Sequence, residues 1–170
     1  FLLGGRIRGM EEARSIPLVL EPFELCPPSR PLLDPQARKW QTHLEAMEAE
    51  GEAAGLRFMR PWLVPWTRKA HELGLYAREH GCFRKVHDAL FQAYLLEGRD
   101  IGRVDVLVEL GAEAGLDRME VKAALDVDRH RQEVERRRER ALALGISGVP
   151  TLLWRERRLE GYPGKEQLRE

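Results

Sequence analysis

Helical periodicity fills the middle of this chain, while strand-like segments lie at both of its ends. Between residues 35 and 144, apolar residues recur three and four positions apart in six blocks, which glycines or short polar joints separate. Residues 16–25 (IPLVLEPFEL) and two short stretches around a turn at 156–157 instead have the composition of strands. Because the backbone groups of strands have to be paired, we expect the two ends to meet in one sheet. The pattern therefore predicts a helical domain inserted into a small α/β domain.

Cap signals give the boundaries of this insertion. Four residues typical of helix N-caps precede predicted helices: Asp34, Thr67, Asp100 and Asp117. Gly145 follows the last helix. We therefore expect the end of a first helix and a strand in residues 1–33, and the helical insertion in residues 34–144. Residues 145–170 are predicted to hold a proline loop, two strands and the start of a last helix.

The composition argues against several classes of protein. The 170 residues include 28 basic and 28 acidic side chains, so the net charge is zero, which argues against a nucleic-acid partner. Two cysteines, Cys26 and Cys82, cannot form a disulfide framework, and no group of Cys and His has the spacing of metal ligands. No apolar run reaches the roughly 18 residues of a membrane span, and no secretory leader is visible. We expect a cytoplasmic protein with no metal and no membrane partner, and the oligomeric state stays open.

Two further features concern the origin of the chain. It contains no Asn, and 23 of its 28 basic residues are Arg. The loss of a side chain that deamidates on heating is typical of thermophile proteins. The chain also begins at Phe1 rather than at Met, so we expect other residues to precede it in the translated protein.

The most informative stretch is Gly148, Val149, Pro150 and Thr151, which we call the proline loop. Since proline has no N–H for a strand ladder, Pro150 belongs at an edge or a bend. A cis Val149–Pro150 bond would turn the N–H and C=O of Val149 outward, where an extended peptide could pair with them. Only about 5–6% of X-Pro bonds in folded proteins are cis, so the motif alone favours the trans form.

Motifs over nearly the whole chain share their order with one family. They are Pro22-Phe23-Glu24-Leu25, Pro65-x-Thr67-x-x-Ala70-His71-x-Leu73, Ala89-Leu90-Phe91-x-Ala93-Tyr94-x-x-Glu97-Gly98-x-Asp100-Ile101, Val106-Leu107, Ala114-Gly115-Leu116-Asp117 and Gly145-Ile146-x-Gly148-Val149-Pro150-Thr151. Taken together they resemble the DsbA-like thioredoxin-fold family, in its FrnE-like branch of dithiol–disulfide isomerases. The same superfamily contains 2-hydroxychromene-2-carboxylate isomerase and the kappa-class glutathione transferases.

The resemblance implies a thioredoxin-like α/β fold with a large helical insertion and a cis bond at Pro150. It also implies a C-x-x-C pair facing that proline at the start of the first helix. Phe1-Leu2-Leu3-Gly4 resembles the continuation of that motif, so we expect the pair, and the strand that carries it, just before Phe1. The chain as given would then hold the substrate platform, residues 148–151, but no catalytic cysteine. A thiolate at a helix N-terminus has a lowered pKa, which suits it to attack a disulfide.

Our leading hypothesis is a thiol–disulfide oxidoreductase or isomerase that acts on a protein or a small thiol. It needs no cofactor, and glutathione is the one co-substrate that we consider. An alternative is a glutathione-dependent isomerase or transferase, in which a serine replaces the first cysteine. A second alternative is a non-catalytic chaperone or binding module on the same scaffold.

Three residues near the start of the second predicted helix are candidates for lining the cleft: Trp66, Thr67 and His71. His71 lies one helical turn after Thr67 and could carry a proton near the thiolate, although a packing role is the more common one for such a residue. Cys26 follows a predicted strand and could be redox-active, but a lone cysteine is more often an inert small hydrophobe.

Two other patterns have both a functional and a structural interpretation. The run Arg136-Arg137-Arg138-Glu139-Arg140 could bind phosphate, but glutamates beside it favour a solvated helix face. Trp62 and Trp66 lie in a proline-stiffened loop. If exposed they would suit an apolar substrate, and packing over the insertion is equally consistent with the sequence.

Overall fold

The computed structural model describes residues 18–161, in which six α-helices precede one β-hairpin. The elements are α1 (Arg38–Ala53), α2 (Arg68–Glu79), α3 (Phe83–Leu95), α4 (Val104–Glu113), α5 (Arg118–Asp126), α6 (Arg131–Ala143), β1 (Thr151–Trp154) and β2 (Arg157–Glu160). The expected helix ends at the two termini lie outside the described residues. Within this range no helix is long and apolar enough to cross a bilayer.

Cap signals located the helices but not always their first residue. Asp117 caps α5 as predicted, because its Oδ1 accepts hydrogen bonds from the N–H groups of Met119 (2.8 Å) and Glu120 (2.9 Å). The predictions at Asp34 and Asp100 are wrong. The Asp34 carboxylate accepts from Gln36 N (2.8 Å) and that of Asp100 from Gly102 N (2.8 Å), and each forms a turn ahead of its helix. Helices α1 and α4 consequently begin at Arg38 and Val104.

The hydrophobic core belongs to helices α2 to α5. Leu73 of α2, Val86 of α3, Leu107 of α4 and Val121 of α5 are completely buried there. Gly111 permits a close approach of three helices, because a Cβ at this position would lie 3.3 Å from Val121 Cγ2 and 3.4 Å from Leu73 Cδ1. Helices α2 to α5 thus form one packed unit, and α6 packs against α2.

The hairpin follows α6 and has its turn one residue earlier than predicted. Strands β1 and β2 pair in antiparallel register, with Thr151 opposite Glu160 and Trp154 opposite Arg157. The turn is therefore formed by Arg155 and Glu156, and Arg155 has a positive φ of 55°. A two-residue turn of this kind requires left-handed backbone, which neither residue type signals.

Within the predicted strand at residues 16–25, residues 18–25 form no ladder with another described segment, and residues 16–17 lie outside the described residues. From residue 18 to residue 24 the chain has no assigned helix or strand. Two arginine side chains, rather than a neighbouring strand, donate hydrogen bonds to its main-chain carbonyls. Arg78 donates to the C=O of Leu20, and Arg138 donates to the C=O of Glu24 (2.9 Å). The division into residues 1–33, 34–144 and 145–170 remains a prediction.

Candidate functional site

The proline loop lies between the end of α6 and the hairpin. Gly145, with φ of 75°, turns the chain after α6, and Ile146 anchors it in a buried position. The Val149–Pro150 bond is cis, as the resemblance implied. Thr151 Oγ1 donates to Gly148 O (2.8 Å) and closes the loop on itself.

On the exposed side of this loop, the main chain of Val149 has no partner among residues 18–161. The C=O of Pro150 accepts from Gly161 N (2.9 Å), so the hairpin holds that end of the loop. Val149 is 52% exposed, and its own N–H and C=O form no hydrogen bond with any of residues 18–161. These two groups are consequently available to an extended peptide, which could pair with them as a strand does.

The structure brings Thr67 and His71 together at the start of α2. Thr67 Oγ1 lies 3.3 Å from His71 Nε2, so the hydroxyl contacts the ring rather than capping the helix, although Thr67 occupies the predicted N-cap position. Burial lowers the pKa of His71 to about 4, and the positive charge of Arg68 adds to this effect. The imidazole is therefore neutral near pH 7.

Trp66 is the remaining cleft candidate, and it lies next to this pair along the chain. Its indole Nε1 donates to Arg30 O (3.0 Å), and the side chain remains exposed. Among the described residues, no hydrogen bond or ion pair joins Trp66, Thr67 or His71 to residues 148–151. Their place in the cleft of the proline loop therefore remains a prediction.

A buried ion pair beside Thr67 was not anticipated from the sequence. Glu24 is completely buried, and its carboxylate accepts from Arg68 Nε (3.1 and 3.2 Å) and from Arg68 Nη2 (2.7 Å). Arg68 Nη1 also contacts Glu135 of α6 at 2.5 Å. We call Glu24, Arg68 and Glu135 the arginine clamp. A carboxylate inside the apolar segment 16–25 is the sequence signal that could have revealed it, because a buried charge needs a partner.

The arginine run of α6 is partly structural. Arg137 contacts Glu21 and Glu133, and Arg138 donates to the main chain of Glu24 and lies 6.0 Å from the Phe23 ring centroid. Both side chains are half-buried. The run therefore holds residues 21–24 against α6 and is more than a solvated helix face.

Neither cysteine takes part in a disulfide. Cys26 and Cys82 are free thiols, and Cys26 Sγ makes a 3.6 Å contact with Pro31 O. Cys82 packs against the core of the insertion as the N-terminal flanking residue of α3. In the part of the chain that the structure describes, no cluster of His, Cys, Asp and Glu could hold a metal ion. Because Cys26 and Cys82 are far apart in the sequence, the chain as given contains no C-x-x-C pair.

Comparison with known proteins identifies the family. The model of the DSBA-like thioredoxin domain matches residues 3–170. The uncharacterized protein YwbO of Bacillus subtilis (strain 168) is 32% identical over 154 residues, which cover 85% of this chain and 75% of that protein.

Solved structures agree with this fold. The crystal structure of a probable DsbA oxidoreductase, SCO1869 from Streptomyces coelicolor, superposes with a TM-score of 0.83 at 24% identity, covering 98% of this chain and 78% of that one. A candidate protein disulfide isomerase from Nitrosomonas europaea gives a TM-score of 0.73 at 17% identity, covering 99% of this chain and 86% of that one. The family match spans both the insertion and the proline loop, so this chain belongs to the DSBA-like thioredoxin domain family.

Proposed function

We propose that this protein is a thiol–disulfide oxidoreductase or isomerase whose substrate docks on the proline loop. The observation that carries the proposal is the family match over residues 3–170, which includes a loop whose Val149 main chain bonds to none of residues 18–161. The structural neighbours described as a DsbA oxidoreductase and a disulfide isomerase support the same reaction class. Within the family we place the chain in the FrnE-like branch, on the motifs that end at Thr151.

The reaction needs a pair of cysteines, which we expect in a C-x-x-C motif just before Phe1. The first thiolate attacks one sulfur of a substrate disulfide and forms a mixed disulfide, while the other substrate sulfur leaves as a thiolate. The second cysteine then attacks the mixed disulfide and releases the reduced substrate. The enzyme is left oxidised by two electrons, and the reverse sequence oxidises a dithiol.

The role that we assign to the proline loop is to hold the substrate backbone during these two steps. An extended substrate strand can donate to the C=O of Val149 and accept from its N–H, which fixes the position of the substrate sulfur. The hydrogen bond from Thr151 to Gly148 restrains the loop from within. This restraint orders the loop before binding and so reduces the conformational entropy that binding would otherwise cost.

Thr151→Val tests the role of the loop without changing the size of the side chain. We expect the loss of one internal hydrogen bond, about 1 kcal/mol, to raise KM for a disulfide-containing peptide by up to about fivefold and to leave kcat within about twofold. Thr42→Val is the matched control, because Thr42 Oγ1 makes an equivalent bond to Arg38 O (3.2 Å) on the exposed face of α1. Equal KM values in the two variants would contradict substrate docking on this loop.

The assay is reduction of insulin disulfides by the full-length protein, with and without glutathione. Reduction that requires the cysteines before Phe1 supports the proposal. A serine in place of the first cysteine, with activity only on glutathione conjugates, would instead indicate a glutathione-dependent isomerase or transferase. Binding of unfolded peptide without exchange would indicate a chaperone module.

The location that we propose is the cytoplasm, where free thiols such as Cys26 and Cys82 stay reduced.

A further inference from the structure

A groove of about 460 Å³ lies between α2 and α6, and the thiol chemistry does not use it. Its lining residues are Leu75, Arg78, Glu79, Arg129, His130, Glu133, Arg136 and Arg137. Leu75 is buried and forms an apolar floor, while the other seven side chains are ionisable. The volume lies within the range of small-molecule sites, roughly 300–1,000 Å³.

The charge of the lining is unbalanced. Four guanidinium groups and one imidazole face two carboxylates of the lining, and Glu21 pairs with Arg78 and Arg137 from beside it, which leaves a surplus of one positive charge when His130 is neutral. The whole chain, by contrast, has a net charge of zero. Glu133 is shared between Arg136 (2.7 Å) and Arg137 (2.7 Å), and Glu79 accepts from His130 Nε2 (3.0 Å). Neither carboxylate forms a direct ion pair with Arg129, although its charge acts on Glu79 from a distance.

Arg129 forms no ion pair within 4 Å in residues 18–161. Its guanidinium carbon lies 6.0 Å from the Tyr76 ring centroid, and its positive charge helps to lower the pKa of Glu79. Tyr76 is buried, and His130 packs edge-on against the same ring at 6.1 Å. The aromatic ring thus supports a cation that no carboxylate holds directly.

Other walls of the groove are held in place. Arg78 donates to Leu20 O, and Arg137 contacts both Glu21 and Glu133, so residues 20–21 fix these two side chains. His130 is 7% exposed and is fixed by Glu79 and Tyr76. These fixed side chains shape the groove, while Arg129 and Arg136 remain exposed and accessible to an anion. Guanidinium groups also match the oxygens of phosphate, to which they donate in pairs.

The geometry points to a binding site for the phosphate group of a small molecule in this groove, with Arg129 and Arg136 as its principal donors. A phosphate there takes hydrogen bonds from Arg129 and from the part of Arg136 that Glu133 leaves free. The size of the groove favours a small phosphate over a nucleic-acid backbone, which would need a longer basic surface on the chain.

Isothermal titration calorimetry of the full-length protein at low ionic strength tests this site with inorganic phosphate and glycerol 3-phosphate as probes. We expect saturable one-to-one binding. Arg129→Gln should weaken it at least tenfold, whereas Arg140→Gln, which removes the same charge from an exposed position of α6 outside the groove, should weaken it less than twofold. A monoester that binds more tightly than inorganic phosphate indicates an organic ligand, and equal affinity indicates free phosphate.

Glu133→Gln should change the affinity for phosphate in the opposite direction. It removes a carboxylate that competes for Arg136 and Arg137, so binding should become severalfold tighter, which loss of folding would not produce. The site is refuted if the wild-type protein shows no saturable binding. It is also refuted if Arg140→Gln weakens binding as much as Arg129→Gln, or if Glu133→Gln weakens it.

Discussion

Removing Arg68 should destabilise the protein far more than removing an equivalent surface arginine. Glu24 is 0% exposed and Arg68 14% exposed, and two nitrogens of Arg68 hold the Glu24 carboxylate. Arg68→Met leaves this carboxylate buried without its counter-ion, which typically costs about 3–5 kcal/mol. At roughly 2–4 °C per kcal/mol for a chain of this size, the melting temperature should fall by about 6–20 °C.

Arg60→Met is the matched control. Arg60 also holds a glutamate with two nitrogens, Nε at 2.7 Å and Nη2 at 2.8 Å from the Glu48 oxygens, but it is 52% exposed. A solvated pair contributes only about 0–1 kcal/mol, because water replaces it when it is broken. The two variants therefore differ in the burial of the pair and little in its geometry.

Urea unfolding, followed by circular dichroism, measures both free energies of unfolding. The variant Glu24→Gln/Arg68→Met removes both charges and should recover a large part of the loss, because no unpaired charge then remains buried. Equal destabilisation by Arg68→Met and Arg60→Met would refute the argument from burial. A double variant no more stable than Arg68→Met would do the same.

Three further predictions concern other buried or capping groups. Burial raises the pKa of Glu72, and the Lys69 ammonium 3.4 Å away offsets this effect only in part. The folded state therefore favours the protonated form, and stability should fall as pH rises through the raised pKa. Glu72→Gln should stabilise the protein by about 1–3 kcal/mol at pH 7 and by less at pH 4. Glu109→Gln, which breaks an exposed ion pair, should change the stability by nearly zero. Asp117→Ala should cost about 1 kcal/mol by chemical denaturation, because it removes two helix N–H acceptors, and Asp34→Ala, which affects one turn, should cost less. The His71 ring should titrate near pH 4 by NMR. Because the unfolded state binds its proton at a higher pH, the stability of the protein should fall as pH drops from 6.5 to 4. A ring pKa near 6.5 in the folded protein would contradict the burial of His71.

Helices α2 to α4 were predictable because each has an apolar face of helical period. Leu73, Val86 and Leu107 fall on apolar helix faces by spacing alone, and all three are completely buried. Their exact starts were less predictable. An aspartate satisfies a turn or a helix N-terminus with the same oxygen, as Asp34 and Asp117 show, and only the backbone that follows distinguishes the two.

Long-range partners could not be derived from local pattern. Glu24 lies in an apolar, strand-like segment, and its partner Arg68 is 44 positions away, so no sequence period connects them. The Arg136–Arg140 run has the composition of a solvated surface, yet Arg138 holds the main chain of Glu24. The cis bond at Pro150 came from resemblance to a family, since the local motif favoured the trans form.

Trapping the mixed disulfide tests the central proposal most directly. The full-length protein, with the second cysteine of the expected pair replaced by serine, is incubated with a peptide that contains one disulfide and is then analysed by mass spectrometry. We expect a covalent adduct of one peptide on the first cysteine of the expected pair, with Cys26 and Cys82 unmodified. The absence of an adduct, or an adduct on Cys26 or Cys82 alone, would contradict thiol–disulfide exchange at the proline loop.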